Sequence, residues 1–142
     1  MTTARIGWGA QMWLDNASNV LTELGEITEI SLPNPQVADV EATHFKSANR
    51  HREYIAGLIE DGEGKFSMNY DPNSASDVIL RAAVADGVAR SYKIVVPDSA
   101  ANWEVTGECL VKSYERSVPI GDRMTATFTI RFTGAVTEAA AA

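Results

Sequence analysis

The residues able to do covalent or metal chemistry are few and poorly spaced for it. A single cysteine, Cys109, excludes an internal disulfide and a four-cysteine zinc site. It falls on the apolar side of an alternating segment, where a buried, inert thiol is expected. The two histidines, His44 and His51, lack a metal-ligand spacing such as H-E-x-x-H. Neither lies near a candidate Ser or Cys nucleophile in sequence, so a catalytic triad is possible but unsupported. The stretch DGEGKFS has the look of a phosphate loop but not its chemistry. Ile59 stands where the first glycine belongs, and Phe66 replaces the required Ser or Thr. Its glycines also lead into a strand pattern, whereas a phosphate loop leads into a helix. Glu60, Asp61 and Glu63 lack the alternating ligands and distal glutamate of a calcium loop. The sequence therefore predicts no enzyme: no catalytic residue, no cofactor and no metal site.

Charge and length set the next bounds. The chain has 142 residues, which predicts one domain with a substantial core. Twelve Lys and Arg against nineteen Asp and Glu give a net charge of −7. Such a surface does not grip nucleic acid, because phosphate binding needs clustered positive charge. The apolar runs are a few residues long, too short to span a membrane. The N-terminal MTTARIGWGAQMWL lacks the apolar core and cleavage site of a signal peptide, so a reducing cytosol is the default compartment. Trp8, Trp13 and Trp103 are candidates for core or interface, and Met12 and Trp13 suggest a partner surface if exposed.

The elements that must position these residues read mainly as strands. In residues 123–133, Met124, Ala126, Phe128, Ile130 and Phe132 alternate with Arg and Thr, a period of two. Gly134 is expected to end that strand. Residues 102–117 alternate too, with Trp103, Val105, Cys109 and Val111 on one side and Glu104, Thr106, Glu108, Lys112, Tyr114 and Arg116 on the other. Leu110 breaks the pattern and predicts a bulge or bend. The two segments, joined by VPIGDR, read as a long antiparallel hairpin. Further strands are expected at 65–70, 91–96, 20–32 and 36–43, and a strand or extended arm at 6–14. One helix is expected over 74–86. Ser74 with Asp77 resembles a capping box, Val78, Ile79, Ala82, Ala83 and Val84 form an apolar stripe, and Gly87 closes it. Residues 43–64 show no sustained period of two and read as a long loop with a helical turn near 52–59. The expected plan is a single domain over 1–142: an N-terminal strand or arm (1–19), the long loop (43–64), the helix (74–86) and a C-terminal tail (134–142).

The run from EGKFSMNYDPNSASDVILRAA through RSYKIVVPD to VTGECLVKSYERSVPIGDRMTATFTIRFTG resembles the tail tube (major tail) proteins of long-tailed phages, the lambda-type group. GEITEISLP and REYIAGLIEDG are similar to it as well. The likeness is one of order and spacing over about residues 21–133. It implies a mainly β fold, an antiparallel β-sandwich or barrel with one flanking helix and a long loop. It further implies hexameric rings stacked into a hollow tube that conducts DNA, in a virion tail assembled in the host bacterial cytoplasm. The implied partners are other copies of the chain and the tape measure, tail terminator and tail tip proteins. DNA is met only in transit, and no membrane is bound.

The residue pattern suits that picture. Exposed strand edges can be paired in a ring, and an acidic wall repels DNA phosphates. Asp39, Glu41, Glu104 and Glu108 share strands with apolar opposite faces and are the lumen-lining candidates. Lys46, Arg50, Arg52, Tyr54, Ile55, Leu58 and Ile59 are the candidates for contacts between rings. Two alternatives remain at this level: a tube protein of a contractile tail or secretion apparatus, which shares the fold, and a small-ligand-binding barrel, which would be a monomer with an apolar cavity.

Overall fold

The computed structural model describes residues 5–98 and 101–140. In chain order the elements are β1 (Gln11–Asp15), β2 (Leu21–Leu24), β3 (Ile27–Glu29), β4 (Gln36–Glu41), β5 (Tyr54–Glu60), β6 (Glu63–Asn69), α1 (Ala75–Asp86), β7 (Arg90–Val96), β8 (Trp103–Ser117) and β9 (Thr125–Ala140). Seven strands form one antiparallel sheet in the order β2-β1-β7-β8-β9-β6-β3. The two edge strands, β2 and β3, are joined by the two-residue bend Gly25–Glu26. Consecutive Cα atoms are only about 3.8 Å apart, so the sheet must curl until its edges nearly meet. The stretch 20–32 is thus not one strand but two, which change partners at the bend. Gly25 N–H donates to Ser76 Oγ (2.9 Å) and Asn69 N–H to the Glu26 carbonyl (3.0 Å), pinning the bend from both sides.

Period-two alternation places Phe66, Met68, Tyr92, Ile94, Val105, Cys109, Ala126, Phe128, Ile130 and Phe132 inside. Phe66 stacks on Phe128 with ring centroids 5.1 Å apart. Each such side chain contributes about 1.5–3 kcal/mol by burial. Among the described residues these side chains form one continuous buried cluster inside the curl of the sheet.

Helix α1 starts on Ser74, whose Oγ accepts from Asp77 N–H (3.3 Å), and ends on left-handed Gly87. Its buried face is Ser76, Asp77, Ile79, Leu80 and Ala83; Val78 and Val84 face outward instead. Spacings of three and four select that face, and the expected stripe was rotated from it. Buried Arg90 ties the helix end to the sheet, donating to Asp86 Oδ2 (2.7 Å) and to the Asp15 carbonyl (2.8 Å).

Further expectations change. Residues 43–64 are not one loop: β5 occupies Tyr54–Glu60, and β6 begins at Glu63. The helical turn expected near 52–59 is replaced by a short 3-10 turn at Ala48–Arg50. The C-terminal segment is not a tail, since β9 continues past Gly134 to Ala140 and pairs with the start of β8. Gly134, at φ +73°, makes a bulge opposite Gly107 rather than an end. Gly107 is required there, because a Cβ would sit 3.0 Å from Tyr92 Oη and 3.2 Å from the Ala135 carbonyl. The irregularity expected near Leu110 is a bulge between Val111 and Ser113. It shifts the phase of β8, so Tyr114 turns inward against the core and helix instead of lying on the polar face.

Candidate assembly interface

Strands β4 and β5 form a two-stranded sheet of their own, outside the curled sheet. All six residues of β4 are exposed, and all of β5 except Gly57. The register puts Val37, Asp39 and Glu41 on one face with Ile59, Ala56 and Tyr54, and Val40 with Ile55 on the other. The pairing shifts between Val37 and Asp39, where a bulge sets Gly57 against Ala38 and Val40. A Cβ on Gly57 would lie 2.8 Å from Val40 Cγ2, so glycine lets the strands close there. Leu58 at the bulge is 88% exposed. Both faces therefore carry large apolar side chains into solvent. An isolated hairpin is marginal in water, so this one gains from cover by another surface.

Its base is fixed to the body. Asn34 N–H donates to the Asp61 carbonyl (2.9 Å), Phe132 N–H to the Gly62 carbonyl (3.0 Å), and Glu60 pairs with Arg131. Its tip, residues 42–53, is ordered around Glu53. Ser47 Oγ donates to Glu53 Oε2 (2.9 Å), His44 Nε2 lies 3.2 Å from the same oxygen, and Glu53 N–H donates to Thr43 Oγ1 (2.9 Å). Asn49 and Arg50 both adopt left-handed backbone, at φ 52° and 60°. Lys46, Arg50 and Arg52 are brought together on this tip, and Phe45 projects from it. The tip holds three Lys or Arg against one acid; the rest of the chain holds nine against eighteen.

A second feature was not anticipated. Residues 7–10 make a turn closed by Ala10 N–H to the Gly7 carbonyl (3.1 Å), with Gly9 at φ +91°. Arg5 pairs with Asp98 beside it. The turn holds Trp8 86% exposed, and between it and residues 27–32 lies an open groove of about 680 Å³. Ile6, Trp8, Ile27, Ile30, Leu32 and Val96 line it. The available signal was Trp8 beside two glycines: a turn presents its tip to solvent, whereas a strand would have buried the indole.

The structure does not gather the four acidic candidates on one wall. Asp39 and Glu41 are on the hairpin; Glu104 and Glu108 are on β8 in the body. Glu104 is partly covered and lies 3.9 Å from Lys93, which itself sits over the Trp13 ring at 4.6 Å. Glu108 is exposed. Cys109 is buried, and its thiol is pushed up to about 12, first by burial and then by the charge of Asp15. It does not take part in any exposed surface.

Comparison with known proteins places this geometry. Residues 11–139 match the family described as lambda phage tail tube protein. No curated protein matches the sequence. Among solved structures, the tail of an empty gene transfer agent particle, refined with C6 symmetry, is similar with a TM-score of 0.76 at 16% identity, over 96% of this chain and 100% of that one. The SPP1 tail tube gives 0.70 at 11% identity, over 96% and 79%. The anti-feeding prophage baseplate gives 0.75 at 9%, over 99% and 98%. At these identities the likeness is one of fold.

Proposed function

The chain belongs to the lambda phage tail tube protein family, and we propose that it polymerises as stacked hexameric rings into the hollow tail tube that conducts DNA to the host cell. The observation that carries the assembly is the β4–β5 hairpin, a fixed projection with uncovered apolar side chains on both faces. Six copies in a ring would repeat each contact sixfold, so interactions that are weak singly add up. In this reading Tyr54, Ile55, Leu58 and Ile59 give apolar contact to the next ring, and Lys46, Arg50 and Arg52 meet its acidic surface. Of the four acids, Glu104 and Glu108 on β8 face the lumen in this reading, where negative charge keeps DNA from sticking, whereas Asp39 and Glu41 share the hairpin face of Tyr54 and Ile59 and go with the contact between rings. DNA is a passenger, not a bound ligand. Tape measure, terminator and tip proteins complete the tail, which is put together in the host cytoplasm. The protein is structural and performs no catalysis.

Negative-stain imaging of the purified protein tests this. Hollow tubes of uniform width with six-fold end views are expected. A protein that stays monomeric at high concentration would overturn the proposal. Replacing residues 36–60 with a Gly-Ser link should leave the body folded and abolish long tubes. Reversing Glu104 and Glu108, the two acids that lie outside the hairpin, to Lys should leave tubes intact but lower infectivity; unchanged infectivity refutes the lumen assignment.

A further inference from the structure

We propose that the Trp8 groove is the socket for the β4–β5 hairpin of a second copy in the adjoining ring. The proposal rests on the tube reading above and names the surface that the hairpin meets. Hairpin and groove are separate parts of one molecule, one projecting and one concave, and both are apolar. A projection on each copy that fills a hollow on the next is a heterologous contact. Repeated with translation along an axis it does not close, and it generates an open stack. A self-complementary patch would instead stop at a dimer.

The chemistry of the two surfaces matches. Val40, Ile55 and Leu58 are exposed on the hairpin, and Ile6, Trp8 and Leu32 are exposed around the groove, with half-buried Ile30 at its base. The groove takes side chains rather than a whole strand, so the hairpin lays one face across it. The socket is already formed. The Gly7–Ala10 hydrogen bond, the left-handed Gly9 and the Arg5–Asp98 pair hold Trp8 in place. With the backbone of the turn fixed, the exposed indole is presented at the groove, and a large aromatic side chain suits an anchoring role. Charge selects the same partner. Glu29 lines the groove, and Glu23 and Glu26 lie on the neighbouring strand and bend. Two acidic bodies repel one another, whereas the hairpin tip carries an excess of positive charge. The tip is therefore the part of a second copy that meets these acids favourably, while the strands, which carry Asp39, Glu41 and Glu60, offer apolar side chains to the groove.

The test uses cysteine pairs, which buried Cys109 does not disturb. Trp8→Cys protein is co-assembled with Val40→Cys, Ile55→Cys or Leu58→Cys protein and treated with a short bis-maleimide. A covalent dimer is expected in mixed tubes with at least one hairpin variant, and not from any single variant alone. Ile120→Cys, on the exposed β8–β9 turn, is the competing probe. Wild-type protein that forms no tubes overturns the tube reading, and this contact with it. Normal mixed tubes that yield no hairpin dimer, or that link Trp8→Cys to Ile120→Cys instead, overturn the socket alone. Independently, Trp8→Asp should raise the critical concentration for tube growth about tenfold or more while leaving the monomer's melting unchanged, and Trp8→Phe should restore growth. A Trp8→Asp protein that assembles like wild type refutes the proposal.

Discussion

The curled sheet and the hairpin obey opposite rules within one chain. In the sheet, β1 and β6 to β9 each seal one face: Phe66 and Phe128 are fully buried and stacked, and Tyr92 packs beside Phe132 at 5.3 Å. In the hairpin, Ile55, Leu58 and Ile59 are mostly exposed, although they are as apolar as anything in the core. The sheet is stabilised by contacts inside the monomer. The hairpin is attached by its base and organised at its tip, but its faces find no partner within the described residues. The contrast separates residues that fold the subunit from residues that join subunits. A mutation in one class should act on melting, and in the other on assembly.

The largest effect on melting should come from Phe128→Ala. It removes a buried ring together with the stack on Phe66, and large-to-small changes of this kind cost about 3–5 kcal/mol. For a chain of this size that is a fall in Tm of roughly 10–20 °C, read by thermal unfolding of the monomer. A fall of only a degree or two would mean that the sheet is not the stabilising unit, and the comparison would break.

Next is Asp77, a buried carboxylate at the start of α1. Burial opposes its charge. Hydrogen bonds from Tyr114 Oη (2.9 Å) and Asn73 N–H (3.0 Å), with Arg81 alongside, outweigh burial and hold it below its ordinary 3.8. A depressed native pKa stabilises the fold above the unfolded value, and this is lost as pH falls through the native one. Asp77→Ala should therefore cost about 1.5–3 kcal/mol at pH 7, the worth of hydrogen bonds to a charged group. The gap from wild type should narrow below about pH 4. Denaturant midpoints at the two pH values measure both. A gap that does not change with pH would show that the carboxylate's charge contributes nothing.

Sequence reading succeeds and fails along the same line. One-sided burial writes a period of two, and so β8, β9, β6 and β7 were legible in their alternation. The helix was legible from Ser74 and Gly87, because capping residues are local. The hairpin strand β5 was not: with neither face buried in the subunit, YIAGLIE shows no alternation, and the bulge at Gly57 shifts what phase there is. The end of β9 was missed because Gly134 normally punctuates a strand, and only the partner glycine at 107 turns that signal into a bulge. Tyr54, Ile55, Leu58 and Ile59 stand out in the sequence as an apolar group, but their geometry depends on a partner strand whose paired residues lie 13 to 24 positions earlier. The acidic candidates were chosen as outward-facing, and outward includes two separate parts of the molecule.

The smallest effect on melting should come from Leu58→Ser, and it is the sharpest test of the contrast. Leu58 is as large and apolar as Leu80, which is sealed on the buried face of α1. A composition argument would rank the two equally. Exposure does not: a side chain already in water loses no burial when it is shortened, so the monomer should change by no more than about 0.5 kcal/mol. Hydrogen exchange then distinguishes the states. In the monomer, amides of β4 and β5 should exchange far faster than those of β8 and β9, because a two-stranded ribbon open on both faces unfolds locally at little cost. On tube formation those hairpin amides should become protected in wild type and remain fast in Leu58→Ser. Strong protection of β4 and β5 in the monomer would mean that the hairpin is stable without a partner, and its exposed side chains would then lose their claim to be an interface.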